Sequence, residues 1–155
     1  RAHLARLLHE EGRYQEAVEH YLAARRDKPQ DVGILDGLGA THLKQGRADE
    51  ALRVLTEALS YQPENPVLHR RIGKAYLETN RHAEAVESLR RAIGYGPFLA
   101  QAHIDLGYAH MGNGELVKAI EAFEQGLSLD PLQAAASQTL GELYLKVYGA
   151  AANAR

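Results

Sequence analysis

The sequence predicts an all-α protein built from short helices stacked as repeats, and two observations carry that prediction. First, one set of small, apolar and turn residues recurs every 34 residues, with no insertion or deletion to interrupt it. Second, every unit is punctuated alike, by Gly or Asn at its middle and by Pro at its end. The clearest copy lies in 35–63 and reads Leu35, Leu38-Gly39, His42, Gly46, Ala51, Leu55, Ala58, Pro63. One step forward gives His69, Ile72-Gly73, Tyr76, Asn80, Ala85, Leu89, Ala92, Pro97, and a second gives His103, Leu106-Gly107, His110, Gly114, Ala119, Phe123, Gly126, Pro131. One step back gives Arg1, Leu4-Ala5, Leu8, Gly12, Ala17, Tyr21, Ala24, Pro29. A partial fifth copy shows Ser137, Leu140-Gly141 and Tyr144.

Each element follows from local chemistry. Gly12, Gly46, Asn80 and Gly114 tolerate the left-handed conformation that ends a helix, so each closes the first helix of its unit. A second helix then starts, with acidic residues in its opening turn in the first three copies, where they complement the helix dipole. Pro29, Pro63, Pro97 and Pro131 cannot continue the helix before them. Asp31 and Asn65 are placed to cap the next first helix, with Pro66 at its first position. The starts after Pro97 and Pro131 lack such caps and are expected to be less well defined. Ala5, Gly39, Gly73, Gly107 and Gly141 share one register on the first helices, and Ala17, Ala51, Ala85 and Ala119 share one on the second. These small residues let paired axes approach closely. Glycine inside a helix costs about 1 kcal/mol relative to alanine, so its recurrence implies a packing return.

This pattern resembles the tetratricopeptide repeat (TPR), a helix-turn-helix unit of the same period. The resemblance covers essentially the whole chain and implies a right-handed superhelical solenoid of antiparallel helix pairs with nine helices. The expected division is a single array over 1–148: a partial first repeat (1–31), repeats at 32–65, 66–99 and 100–133, and the first helix of a fifth repeat or a capping helix at 134–148. A flexible tail is expected at 149–155. Two registers depart from the family pattern. The large aromatic of the fourth position is Leu35, His69 or His103, and the tyrosine of the eleventh is His42 and His110 in two copies.

Composition bounds the function. A hydrophobic fraction of 45% with 25% charged residues is that of an ordinary soluble protein, cytoplasmic by default, although nothing in the sequence assigns a compartment. Eighteen basic residues against twenty acidic ones disfavour nucleic-acid binding. There is no cysteine, which excludes disulfides and thiolate chemistry, and no apolar run approaches the roughly 18 residues of a membrane span. The chain begins at Arg1 within a helical pattern and reads as a fragment of a longer protein.

Sites of chemistry are not indicated. None of the eight histidines forms the i, i+4 pair of a helical zinc site, so no metal is expected. The four serines, Ser60, Ser88, Ser128 and Ser137, fall in no nucleophile motif, and Gly37-Leu38-Gly39 is too short for a dinucleotide fingerprint. The chain therefore reads as no enzyme and needs no cofactor.

Surface remains. The resemblance implies that first helices line a concave groove, and the expected function is a protein-interaction scaffold or adaptor binding a peptide or protein segment there. Leu43, Leu77 and Met111, with Leu145 one repeat on, form one apolar residue per unit on that side, either packed on the neighbouring helix or offered to a peptide. The five-residue clamp by which some family members grip a terminal carboxylate is reproduced in no register. Arg70, Arg71 and Lys74 form a basic cluster on the central first helix near Tyr108, and the like-charged pair Arg70 and Lys74 at i, i+4 needs an offset. Either Asp36 and Asp105 neutralise the arginines across repeats, or the cluster receives an acidic segment of a partner. Two rivals stay open. The chain self-assembles through an unfinished last helix exposing Leu140, Leu143, Tyr144 and Val147, or it is the regulatory segment of a larger enzyme.

Overall fold

A computed structural model describes residues 1–149, and every residue from 2 to 149 outside the turns lies in a helix. The elements are α1 (Ala2–Glu10), α2 (Tyr14–Asp27), α3 (Val32–Lys44), α4 (Ala48–Tyr61), α5 (Pro66–Glu78), α6 (His82–Tyr95), α7 (Ala100–Gly112), α8 (Leu116–Leu129) and α9 (Ala134–Tyr144), followed by a π-helical turn, Leu145–Gly149. Among the described residues there are nine α-helices and no strand, in a right-handed solenoid of helix pairs. First helices start at 32, 66, 100 and 134 and second helices at 14, 48, 82 and 116, so the sequence period survives in the fold without drift.

The turns inside the pairs are four copies of one device. Gly12, Gly46, Asn80 and Gly114 take φ of 80°, 74°, 58° and 76°. The following N–H then reaches back to the last turn of the helix: Arg13 donates to the Leu8 carbonyl (2.9 Å), Arg47 to His42 (2.8 Å), Arg81 to Tyr76 (2.9 Å) and Glu115 to His110 (2.9 Å). That bond and the positive φ are the two parts of a Schellman closure. In the fifth unit Tyr148 occupies the turn register, and a side chain there would cost about 1–2 kcal/mol in the left-handed region. The helix expected over 134–148 accordingly leaves α geometry after Tyr144 and runs on as the π-turn. The tail expected from 149 lies, beyond Gly149, outside the described residues.

Second helices end where proline dictates. Lys28, Gln62, Gly96 and Asp130, each preceding a proline, have φ between −135° and −142° and leave the helix. Asp31 accepts a hydrogen bond from the Ile34 N–H (3.1 Å), and Asn65 accepts from Val67 (3.0 Å) and Leu68 (3.4 Å). Leu99 and Gln133 cap nothing with their side chains, yet α7 and α9 begin on the same register as α3 and α5. Packing against the neighbouring helices, rather than the cap, sets these starts.

The small registers are buried as expected: Ala17, Ala51, Ala85 and Ala119 are all 0% exposed. A methyl on Gly39 would stand 2.6 Å from Leu55, one on Gly73 2.6 Å from Leu89, and one on Gly107 2.9 Å from Phe123. Histidine replaces the family's aromatic residues with a different kind of contact. His69 and His103 donate from Nε2 to the carbonyls of Pro63 (2.8 Å) and Pro97 (2.9 Å), closing the junction loops. Tyr76 packs against two core clusters at once, whereas the smaller His42 and His110 at its register each border a cleft of about 500 Å³.

Candidate functional site

The first helices α1, α3, α5 and α7 bring together a groove pocket of about 340 Å³ lined by His9, Leu43, Lys44, Arg70, Arg71, Lys74, Glu78 and Gln101. Its charges divide into two classes. Arg71 Nε stands 2.5 Å from Asp36 on α3, and Arg70 Nη1 donates to Asp105 on α7 at 3.4 Å. Asp105 is 1% exposed and accepts a second hydrogen bond from Gln101 (3.0 Å). Burial pushes the Asp36 carboxyl above its ordinary range, against the pull of Arg71 and Arg70. Both arginines are therefore bound into cross-repeat ion pairs that tie α3 to α5 and α5 to α7, which is the neutralised arrangement of the two read from the sequence.

Lys74 is exposed and, among the described residues, neither it nor Lys44 has a carboxylate within 4 Å. Glu78, the helical neighbour of Lys74, is held above its ordinary value by desolvation, with Lys74 and Lys44 acting the other way. His9 is held low by burial and then by Lys44 and Arg71, and its Nδ1 meets the Thr41 hydroxyl at 2.9 Å. The imidazole is thus kept neutral at the pocket's edge, and the available positive charge is that of the two lysines. His9 stands at the register of Leu43 one repeat earlier, and Lys44 follows Leu43 directly. The signal that finds them is the pairing of the arginines with Asp36 and Asp105, which leaves the lysines as the cations without an ion pair among the described residues.

Tyr108 lies outside this pocket. Its ring meets Phe123 edge-on at 5.0 Å and packs with Met111 on the C-terminal core cluster. Leu43, Leu77 and Met111 are half-buried, each against a different core cluster, so most of their apolar surface is spent on packing. Leu145 is 74% exposed, at the start of the π-turn.

The last helix departs from its expected open face. Leu143 is 3% exposed, and Leu140 and Val147 pack on the same cluster as Phe123, so three of the four residues point into α8 rather than away from it. Tyr144 stays exposed, with its hydroxyl donating to Glu124 at 2.7 Å. The open side of α9 instead carries Gly141, around which a methyl would meet nothing within 4 Å.

Among the described residues no group of three or more His, Cys, Asp or Glu is arranged to hold a metal ion, and no helix is long and apolar enough to cross a membrane.

Family models described as Tetratricopeptide repeat match residues 42–104 and 100–132, and one described as TPR repeat matches 5–46. No curated protein sequence matches the chain. Several solved structures do. TTC0263, a thermophilic TPR protein of Thermus thermophilus, is 26% identical with a TM-score of 0.82, over 94% of this chain and 80% of that one. MamA is 27% identical with a TM-score of 0.79, over 88% of this chain and 80% of that one. The first TPR of Spaghetti (RPAP3), bound to the HSP90 peptide SRMEEVD, is 26% identical with a TM-score of 0.73, over 76% of this chain and 94% of that one. With matches running from residue 5 to residue 132 and the 34-residue register intact in the helices, the chain belongs to the tetratricopeptide-repeat family.

Proposed function

We propose that the chain is a protein-interaction scaffold whose first-helix groove receives an acidic segment of a partner protein, with Lys44 and Lys74 as its cationic contacts. The observation that carries this reading is the division of charge in the pocket: the arginines are tied to Asp36 and Asp105, while among the described residues neither lysine has a carboxylate within 4 Å, Glu78 being the one acidic residue that shares the pocket with them. Complementary charge guides such encounters and fixes their register. The peptide on the RPAP3 domain, SRMEEVD, is itself rich in carboxylates, which supports acidic segments as occupants of this fold. The terminal-carboxylate clamp has no counterpart in this sequence, so the reading rests on side-chain carboxylates meeting the two lysines.

The test uses a short fluorescent peptide of alternating glutamate and leucine, with a glutamine-for-glutamate peptide as control. Exposed ion pairs contribute roughly 0.2–1 kcal/mol each, so Lys44→Glu with Lys74→Glu should weaken binding by about 0.4–2 kcal/mol and flatten its salt dependence. The melting curve should not move. Binding that is indifferent to the double reversal and to salt would remove the groove from consideration. Reversing Arg70 is the wrong test, because its partner Asp105 is buried and would be left as an uncompensated charge at a cost of about 3–5 kcal/mol.

A further inference from the structure

One register of the second helices holds Tyr21, Leu55, Leu89 and Phe123. The last three are fully buried against the glycine of their own pair, at Gly39, Gly73 and Gly107, whereas Tyr21 is 5% exposed. Tyr21 reaches one repeat further. A methyl on Gly37 of α3 would stand 2.5 Å from its Cζ and from its hydroxyl oxygen, so the phenolic end of the ring lies against that glycine. Arg71 and Asp105 hold the register of Gly37 in the next two repeats, and a side chain at 37 would close the space that the ring end fills. The hydroxyl opens on the groove side: the charges that act on it, those of Asp36, Arg6, Arg71 and Glu10, all sit on the first helices α1, α3 and α5. Burial, and then Asp36, hold the phenol above its ordinary value, so it keeps its proton at neutral pH. Among the described residues it has no hydrogen-bond partner, and its oxygen is not one of the unpaired polar atoms that are closed to solvent. A buried ring with an uncommitted O–H at the surface is suited to an interface, where the ring supplies rigidity and the hydroxyl a directed bond.

We infer that the Tyr21 hydroxyl, presented through the gap at Gly37, is a specificity-determining hydrogen-bond donor of the groove, and that it donates to a main-chain carbonyl of the bound segment. This contact rests on the groove being the docking surface, and adds to the lysines a tie that does not depend on charge. The acceptor follows from the surroundings. Two cations, Arg6 and Arg71, and two carboxylates, Asp36 and Glu10, act on the phenol, and Arg71 is already paired with Asp36, so this place offers no net attraction to an anion. A neutral acceptor fits it, and an extended segment carries one in every peptide unit. The two devices then divide the work: Lys44 and Lys74 select an acidic segment, and Tyr21 fixes where its backbone lies.

Tyr21→Phe in the whole chain tests this, with the fluorescent glutamate-leucine peptide titrated at low and at high salt. The ring is kept, and phenylalanine already stands at this register as Phe123, so the melting curve should not move. Loss of a neutral hydrogen bond should weaken binding about three- to ten-fold, by the same factor at both salt concentrations, whereas the double lysine reversal changes the salt dependence itself. A direct readout accompanies it: in a chain carrying ¹³C-labelled tyrosine, the ring signal that is absent from Tyr21→Phe should shift when the peptide is added. If Tyr21→Phe binds like the wild type while the lysine reversal weakens binding, the inference is overturned and the groove reading stands. A loss in Tyr21→Phe beside a silent lysine reversal keeps the phenol contact and removes the lysines. A loss that shrinks as salt rises would make the acceptor a carboxylate, and a lowered melting curve would make the hydroxyl structural; either overturns the inference. A wild-type chain that binds no peptide overturns both readings.

Discussion

Gly73 and Gly141 hold the same place in their repeats and meet opposite surroundings. Over Gly73 lies Leu89 of the paired helix, so close that a methyl would stand 2.6 Å from its branch carbon; over Gly141 there is open space. The tyrosine register repeats the contrast: His42 and His110 are 9% and 4% exposed inside the array, and Tyr144 is 40% exposed at its end. The lesson is that a repeat residue acquires its meaning from the neighbouring helix. In a stack where each unit touches only adjacent ones, one letter of the period is a packing residue in the interior and a free surface position at the edge.

The largest expected effect breaks the interior most severely. Phe123 is fully buried between α7 and α8, and Phe123→Ala should cost about 3–5 kcal/mol in urea denaturation, while Tyr144→Ala, at an exposed position of α9, should cost far less. Next come the alanines of the second helices. Ala51→Leu or Ala85→Leu should overpack the pair and cost about 1–3 kcal/mol, with Gln62→Ala, at an exposed turn, within about 0.5 kcal/mol of wild type. Equal effects at the two kinds of position would show that the small register is not a contact. Caps give a finer contrast. Asn65→Ala should cost about 0.5–2 kcal/mol, because its oxygen serves two orphan N–H groups, and Gln133→Ala, which caps nothing, should be nearly silent.

How much of this was legible in the sequence follows the same division. The period, the positive-φ turns at Gly12, Gly46, Asn80 and Gly114, and the pre-proline stops could all be read, because each depends on backbone chemistry within a few residues. The close approach at Gly39, Gly73 and Gly107 was legible from recurrence alone. Less legible was anything decided by what lies across a helix boundary. Leu143 looked open because the fifth unit is incomplete, but α8 covers it. Arg70 and Arg71 could be read either as partners of Asp36 and Asp105 or as a basic face, and only the position of the carboxylates across the helix boundary decides for the ion pairs; Lys44, which lines the same pocket, carried no signal of its own. The end of α9 was overrun by four residues because Tyr148 was counted into the helix and not into the turn it replaces.

The most direct test of the account pairs Gly73→Ala with Gly141→Ala in urea titrations followed by circular dichroism. Alanine gains about 1 kcal/mol over glycine in a helix at either site, so the difference between the two variants isolates the contact with Leu89. Gly141→Ala should raise stability by up to about 1 kcal/mol, and Gly73→Ala should fall about 1–3 kcal/mol below it. Two variants that rise together would contradict the claim that the glycines of the array are there to admit the paired helix.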